Sequence, residues 1–106
     1  MDNNAGMFPE FVEEFKLQRE EERVELMRVA LLHRLQKRGM TNGQIYEYTL
    51  RMGYRPTVAV TALKQLQADD MIEVNSIGIR KVRKGAFYLN YKDYREPVIE
   101  VRLKEL

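Results

Sequence analysis

Over the first third of the chain, apolar residues recur at helical spacing, from about Pro9 to Arg38. Phe8, Phe11, Val12 and Phe15 follow i, i+3, i+4, i+7 spacing, and so do Leu17, Val24, Met27, Leu31 and Leu35. At about 100° per residue the two rows point about 150° apart on a straight helix. One row can face the domain's own core, and the other needs a second surface. Pro9 suits a first helical turn and Gly39 a C-terminal stop. Glu10, Glu13 and Glu14 crowd the early turns while Lys37 and Arg38 close the last, as the helix dipole favours. Between the rows lies Gln18-Arg19-Glu20-Glu21-Glu22-Arg23, either a solvated helical stretch or a break between two shorter helices. The N-terminal arm could fold back on its own domain. The preferred reading is that it crosses a two-fold axis to a second protomer, because burying a phenylalanine fully stabilises by about 1.5–3 kcal/mol.

A second helix is announced by Thr41-Asn42-Gly43-Gln44. Thr at the N-cap with Gln three residues later makes a capping box, each side chain satisfying the other's unpaired backbone donor. Ile45, Tyr48 and Met52 share one face, and Gly53 ends the helix. Tyr54-Arg55-Pro56 reads as a short turn, since proline disfavours helix just before it and fits the first turn of the next. A third helix is expected from Pro56 to Asp69, with Ala59, Ala62, Leu63 and Leu66 inward. Its outward face carries Thr57, Val60, Thr61, Lys64 and Gln67 or Ala68, a mixture unlike the Glu and Lys of a plain solvated helix.

Beyond Asp70 the period becomes two. Met71–Val74 and Ala86–Tyr91 read as strands, the latter with Phe87, Leu89 and Tyr91 on one face. Between them Arg80, Lys81, Arg83 and Lys84 fall within five positions, so the pair reads as a hairpin with a long basic tip. Val98–Leu103 alternates again as a third strand, and Pro97 favours an edge position for it.

Composition narrows the chemistry. The 106 residues are 44% hydrophobic and 32% charged, a globular balance suited to one compact domain. Val29-Ala30-Leu31-Leu32 is as long as any apolar run, far short of the roughly 20 residues of a spanning helix or a secretory apolar core of ~7–15. Cysteine is absent and His33 is the only histidine, which removes disulfides, thiolate zinc sites and cysteine nucleophiles. The expectations are a cytoplasmic chain with no cofactor, no metal, no membrane association, no evident small-molecule ligand and no catalysis. The net charge of +2 is uneven: residues 1–38 hold seven basic and eight acidic groups, and residues 51–84 hold seven basic and three acidic. Such asymmetry bears on partner choice more than the sum does.

Helix, helix, turn, helix, strand, basic loop, strand is the element order of a winged helix-turn-helix domain. Leu63-Lys64-Gln65-Leu66-Gln67-Ala68-Asp69-Asp70-Met71-Ile72 resembles that family's L-x-x-L-x-x-x-G-x-I signature, and Pro56-Thr57-Val58-Ala59 is similar to its helix start. Asp70 stands where glycine is usual, and Asp tolerates a left-handed backbone moderately well. The resemblance covers about residues 24–91 and identifies no subfamily. It implies an α+β fold: three helices, a small antiparallel sheet with a wing, and an extended N-terminal helix. Residues 1–23 would be a helical arm and 24–106 the winged-helix domain. It further implies that the third helix enters the major groove of double-stranded DNA while the wing meets the backbone. On this chain Arg55, Thr57, Val60, Thr61 and Lys64 would serve on the helix, and Arg80, Lys81, Arg83 and Lys84 on the wing. Thr41 and Asn42 would offer a phosphate the second helix's N-terminus, and Phe8, Phe11, Val12 and Phe15 would form a homodimer contact. The expected function is a small homodimeric transcriptional regulator, nucleoid-associated in a bacterial or archaeal cell. The alternatives are a winged-helix protein-interaction module or subunit of a nucleoprotein assembly, and single-stranded nucleic acid binding through the tyrosine-rich strands.

Overall fold

The structure is a computed structural model; it describes residues 9–105, with side chains from Arg19 onward. The elements are α1 (Pro9–Leu35), β1 (Met40–Thr41), α2 (Asn42–Arg51), α3 (Pro56–Ala68), β2 (Ile72–Ser76) and β3 (Ile99–Leu103). The three strands form one antiparallel sheet in the order β1-β3-β2. This is an α+β architecture of three helices and a small sheet, compatible with a winged-helix layout.

Local signals place the helix ends well. α1 is continuous through Gln18–Arg23, so the polar stretch is solvated helix and no break separates residues 23 and 24. The helix stops at Leu35, a turn earlier than Arg38. At α2 the capping box closes as expected: Thr41 N–H donates to Gln44 Oε1 at 2.9 Å and Gln44 N–H to Thr41 Oγ1 at 3.2 Å. Gly53 ends α2 with φ +80°, and the amides of Gly53 and Tyr54 return to the carbonyls of Leu50 and Thr49. α3 repeats this with Asp70 at φ 62°, where the amides of Asp70 and Met71 return to Gln67 and Leu66. The aspartate therefore occupies the left-handed position that favours glycine. Asp70→Gly should raise stability by about 0.5–1 kcal/mol by relieving that backbone, read as a shift in the denaturant midpoint. Its surface ion pair with Lys104 contributes too little to reverse the sign.

The core is built where the periodicity placed it. Met27, Leu31 and Leu35 from α1, Ile45 from α2, and Ala59, Ala62, Leu63 and Leu66 from α3 pack against Ile72, Ile99 and Val101 of the sheet. The two alanines let α3 approach its neighbours closely, and each large side chain buried contributes about 1.5–3 kcal/mol.

The sheet departs from the expected hairpin. Ala86–Tyr91 is not a strand; β2 pairs instead with β3, from Ile72 opposite Leu103 to Ser76 opposite Ile99. β3 is therefore the central strand, and Pro97 lies two residues before it, where a missing N–H costs the ladder nothing. The connection between β2 and β3 is correspondingly long, residues 77–98. Phe87 and Leu89 are still buried, as alternation required, but they plug the core from a loop, and Tyr91 is exposed. Gly85 at φ +85° and Tyr88 at φ 57° bend this segment away from extended geometry, which keeps it out of the ladder.

Candidate nucleic-acid interface

The exposed side of α3 holds the residues expected there. Thr57, Thr61 and Lys64 are exposed, Val60 is half-buried, and Arg55 is exposed at the N-cap. Thr61 Oγ1 donates to Thr57 O at 3.0 Å, which uses its one hydrogen and leaves the oxygen able to accept. The flanks differ. On the Thr57–Thr61 side lies a groove of 640 Å³ shared with Arg19, Glu20 and Arg23 of α1. Glu21 and Glu25 stand beside Thr61 and Gln65. The groove at Thr57 carries Arg19, Arg23 and Arg55 against Glu20, whereas carboxylates dominate beside Gln65, so phosphate is disfavoured along the Gln65 end alone. Nothing in the α1 pattern signalled that proximity, since which helix side α1 covers is a packing outcome.

In the long connection the four basic residues separate into two roles. Arg80 Nη1 lies 2.9 Å from Asp93 Oδ1 and 3.8 Å from Glu96 Oε1, and its guanidinium stacks on Tyr88 at 4.8 Å. Asp93 is buried, and its carboxyl is held below the usual carboxylate range, first by the Arg80 contact and then by the Asn90 amide. Arg80 thus braces the β2–β3 connection through buried Asp93 while its own side chain stays 41% exposed. Lys81, Arg83 and Lys84 are exposed around the turn in which the amide of Ala86 returns to Arg83 O. No ion pair engages them among the described residues.

The N-terminus of α2 is closed. Asn42 is completely buried. Its Nδ2 donates to the carbonyls of Asp93 and Glu96 at 3.1 Å and of Tyr88 at 3.4 Å. Its Oδ1 accepts from the amides of Val98 at 2.8 Å and Ile99 at 3.4 Å. Gly43 is buried too, and a Cβ there would stand 2.0 Å from the carbonyl oxygen of Tyr94. Asn42 therefore anchors the β2–β3 connection to α2, and its burial corrects the expectation that it offers a donor at the surface. Thr41 spends its hydroxyl on the capping box, and the expected phosphate site at this helix end is covered by residues 90–97.

Two features had no forecast. Arg34, Lys37, Arg38 and Arg51 surround a 210 Å³ pocket with Glu47 and Tyr48, the Arg34 guanidinium stacking on Tyr48 at 4.4 Å. Ile79 is fully exposed in the β2–β3 connection, which also exposes Ile77 and Tyr91. Phe8 lies outside the described residues, as do the side chains of Phe11, Val12 and Phe15. Among the described residues no group of three or more His, Asp or Glu side chains gathers at metal-binding distances, and no helix is long and apolar enough to cross a membrane. Comparison with family models, with curated proteins and with solved structures finds no match to the chain.

Proposed function

We propose that this protein binds double-stranded DNA sequence-specifically as a small transcriptional regulator, two copies together reading a two-fold site. The observation that supports this reading is the pairing of two exposed surfaces. α3 offers Thr57, Val60 and Lys64 behind Arg55, short groups suited to base edges and the thymine methyl. The wing turn offers Lys81, Arg83 and Lys84 with no acidic partner, suited to sequence-blind phosphate contact. The protein would work where the DNA is, in the cytoplasm or on the nucleoid, and no catalytic step is assigned to it.

A titration of labelled random duplex at two salt concentrations tests the reading. The wild type should weaken steeply as salt rises. K81A/R83A/K84A should flatten the logarithmic salt slope by about 2–3, since each lost phosphate contact removes about 0.9. No binding of duplex at low salt would overturn it. The exposed Ile77, Ile79 and Tyr91 favour a protein-docking module as the reading that would then replace it.

A further inference from the structure

Four cations gather where the end of α1 meets α2. Arg34, Lys37, Arg38 and Arg51 line one recess of 210 Å³ together with Gln44, Glu47 and Tyr48. All four are exposed, and no ion pair engages any of them among the described residues. The Arg34 guanidinium stacks on the Tyr48 ring at 4.4 Å, which holds it in place and leaves its N–H edge for a bidentate acceptor. Gln44 is held too: its Oε1 accepts the Thr41 amide at 2.9 Å, and its amino group remains to donate. The lining residues all fall within residues 34–51, apart from α3 and the β2–β3 connection. No local pattern announced the recess, because its cations come from two helices and the turn between them.

The balance of charge says what fits. The four cations share the recess with one carboxylate, Glu47. Arg34 stands in the last turn of α1 and Arg51 in that of α2, and each helix C-terminus supplies about half a negative charge. Four positive charges against about two negative ones leave a surplus of about +2. A phosphate monoester carries about −1.5 to −2 at neutral pH, with three strong acceptor oxygens. A diester in a duplex strand carries a single charge and is flanked by the strand on both sides, so it enters a recess poorly. The 210 Å³ is about seven times the ~30 Å³ that one water occupies in the liquid. That is room for a phosphate group and the first atoms attached to it.

We propose that this recess binds the terminal phosphate of a small phosphorylated molecule. Arg34 and Arg51 meet its oxygens from the two helices, Lys37 and Arg38 answer its charge from the turn after α1, and Gln44 donates to it. Glu47 opposes it and limits the affinity. A probe that offers little beyond the phosphate, such as glycerol phosphate, should bind with a dissociation constant on the order of 1 mM. The inference goes beyond DNA binding and does not rest on it.

Glycerol phosphate titrated into the full chain at fixed ionic strength should shift the amide signals of residues 34–51 in proton–nitrogen spectra. The side-chain Nε–H signals of Arg34 and Arg51 should move with them. Dimethyl phosphate, a diester, should bind about tenfold more weakly or worse. K37Q/R51Q should weaken glycerol phosphate by about tenfold, with an unchanged unfolding midpoint because both side chains are exposed. E47Q should tighten it about threefold by removing the carboxylate, a gain that a merely structural role would not give. No shifts at about 20 mM, equal binding of the diester, or K37Q/R51Q that binds as the wild type does would each overturn the proposal. So would shifts spread alike over every basic surface, the mark of an adventitious ion only. A K37Q/R51Q variant that loses duplex affinity, when glycerol phosphate does not bind the wild type, would assign the recess to the DNA backbone and overturn it too. Duplex binding by the wild type is titrated separately, so a failure of the DNA reading stays distinct from a failure of this one.

Discussion

Asn42→Ala should destabilise the protein by about 3–5 kcal/mol, measured by chemical denaturation, and free residues 86–98 to exchange their amides with solvent. The side chain is wholly buried and makes all five of its hydrogen bonds to backbone groups 46 to 57 residues away. Removing it leaves the Tyr88 and Glu96 carbonyls and the Val98 and Ile99 amides facing a cavity, while Asp93 O keeps the Glu96 amide. Each buried group left unsatisfied costs about 1–3 kcal/mol, though the costs do not add in full once the loop relaxes. Against a domain stability of about 5–15 kcal/mol that is a large fraction. Asn42→Asp keeps the shape and the acceptor for Val98 but sets a carboxylate oxygen against three carbonyls. It should be at least as damaging, which separates hydrogen-bond chemistry from packing. An Asn42→Ala variant of near wild-type stability would show that the wing is held elsewhere.

Gly43→Ala is expected to cost about 3 kcal/mol, the upper end for overpacking, because the new Cβ would stand 2.0 Å from Tyr94 O. That neighbour is backbone, so relief requires the segment around Tyr94 to lift from α2. Alanine is otherwise the better helix former by about 1 kcal/mol, so a plain propensity argument predicts the opposite sign. Denaturation midpoints of the two proteins decide between them. The tilted ring contact of Tyr46 with Tyr94 at 5.3 Å should loosen with the loop, giving a tyrosine fluorescence change as a second readout.

Both effects concern a junction that the chain's local patterns misread. Thr41-Asn42-Gly43-Gln44 was legible as a helix start because Thr41 and Gln44 satisfy each other within one turn. The same locality made Asn42 look like an open N-terminal donor. What fills that end is residues 90–97, and no short-range signal in Asn42 or Gly43 points to them. Ala86–Tyr91 tells the same story from the other side. Its alternation put Phe87, Leu89 and Tyr91 on one face, and the first two are buried while Tyr91 is exposed, because alternation does not report which strand edge is vacant. β3 has that edge, and its own alternation was equally good. Arg80 could not be told from Lys81 by sequence, since its partner Asp93 is brought to it by the folding of the loop around Asn90, whose carboxamide accepts from Asp93 N at 2.7 Å.

The sequence by itself determined the three helices, the inward row of each, the capping at Thr41, and the stops at Gly53 and Asp70. All of these rest on neighbours within a turn or two, where periodic burial and backbone hydrogen bonding are set by spacing alone. Only the tertiary structure decided that β3 is central, that Asn42 lies inside, that Arg80 pairs with Asp93, and that α1's carboxylates flank Thr61. The burial of Asn42 depends on polar groups 51 and 56 residues apart finding one another during chain closure. Their hydrogen bonds stabilise only when water is excluded from all of them together, and no local pattern records that condition.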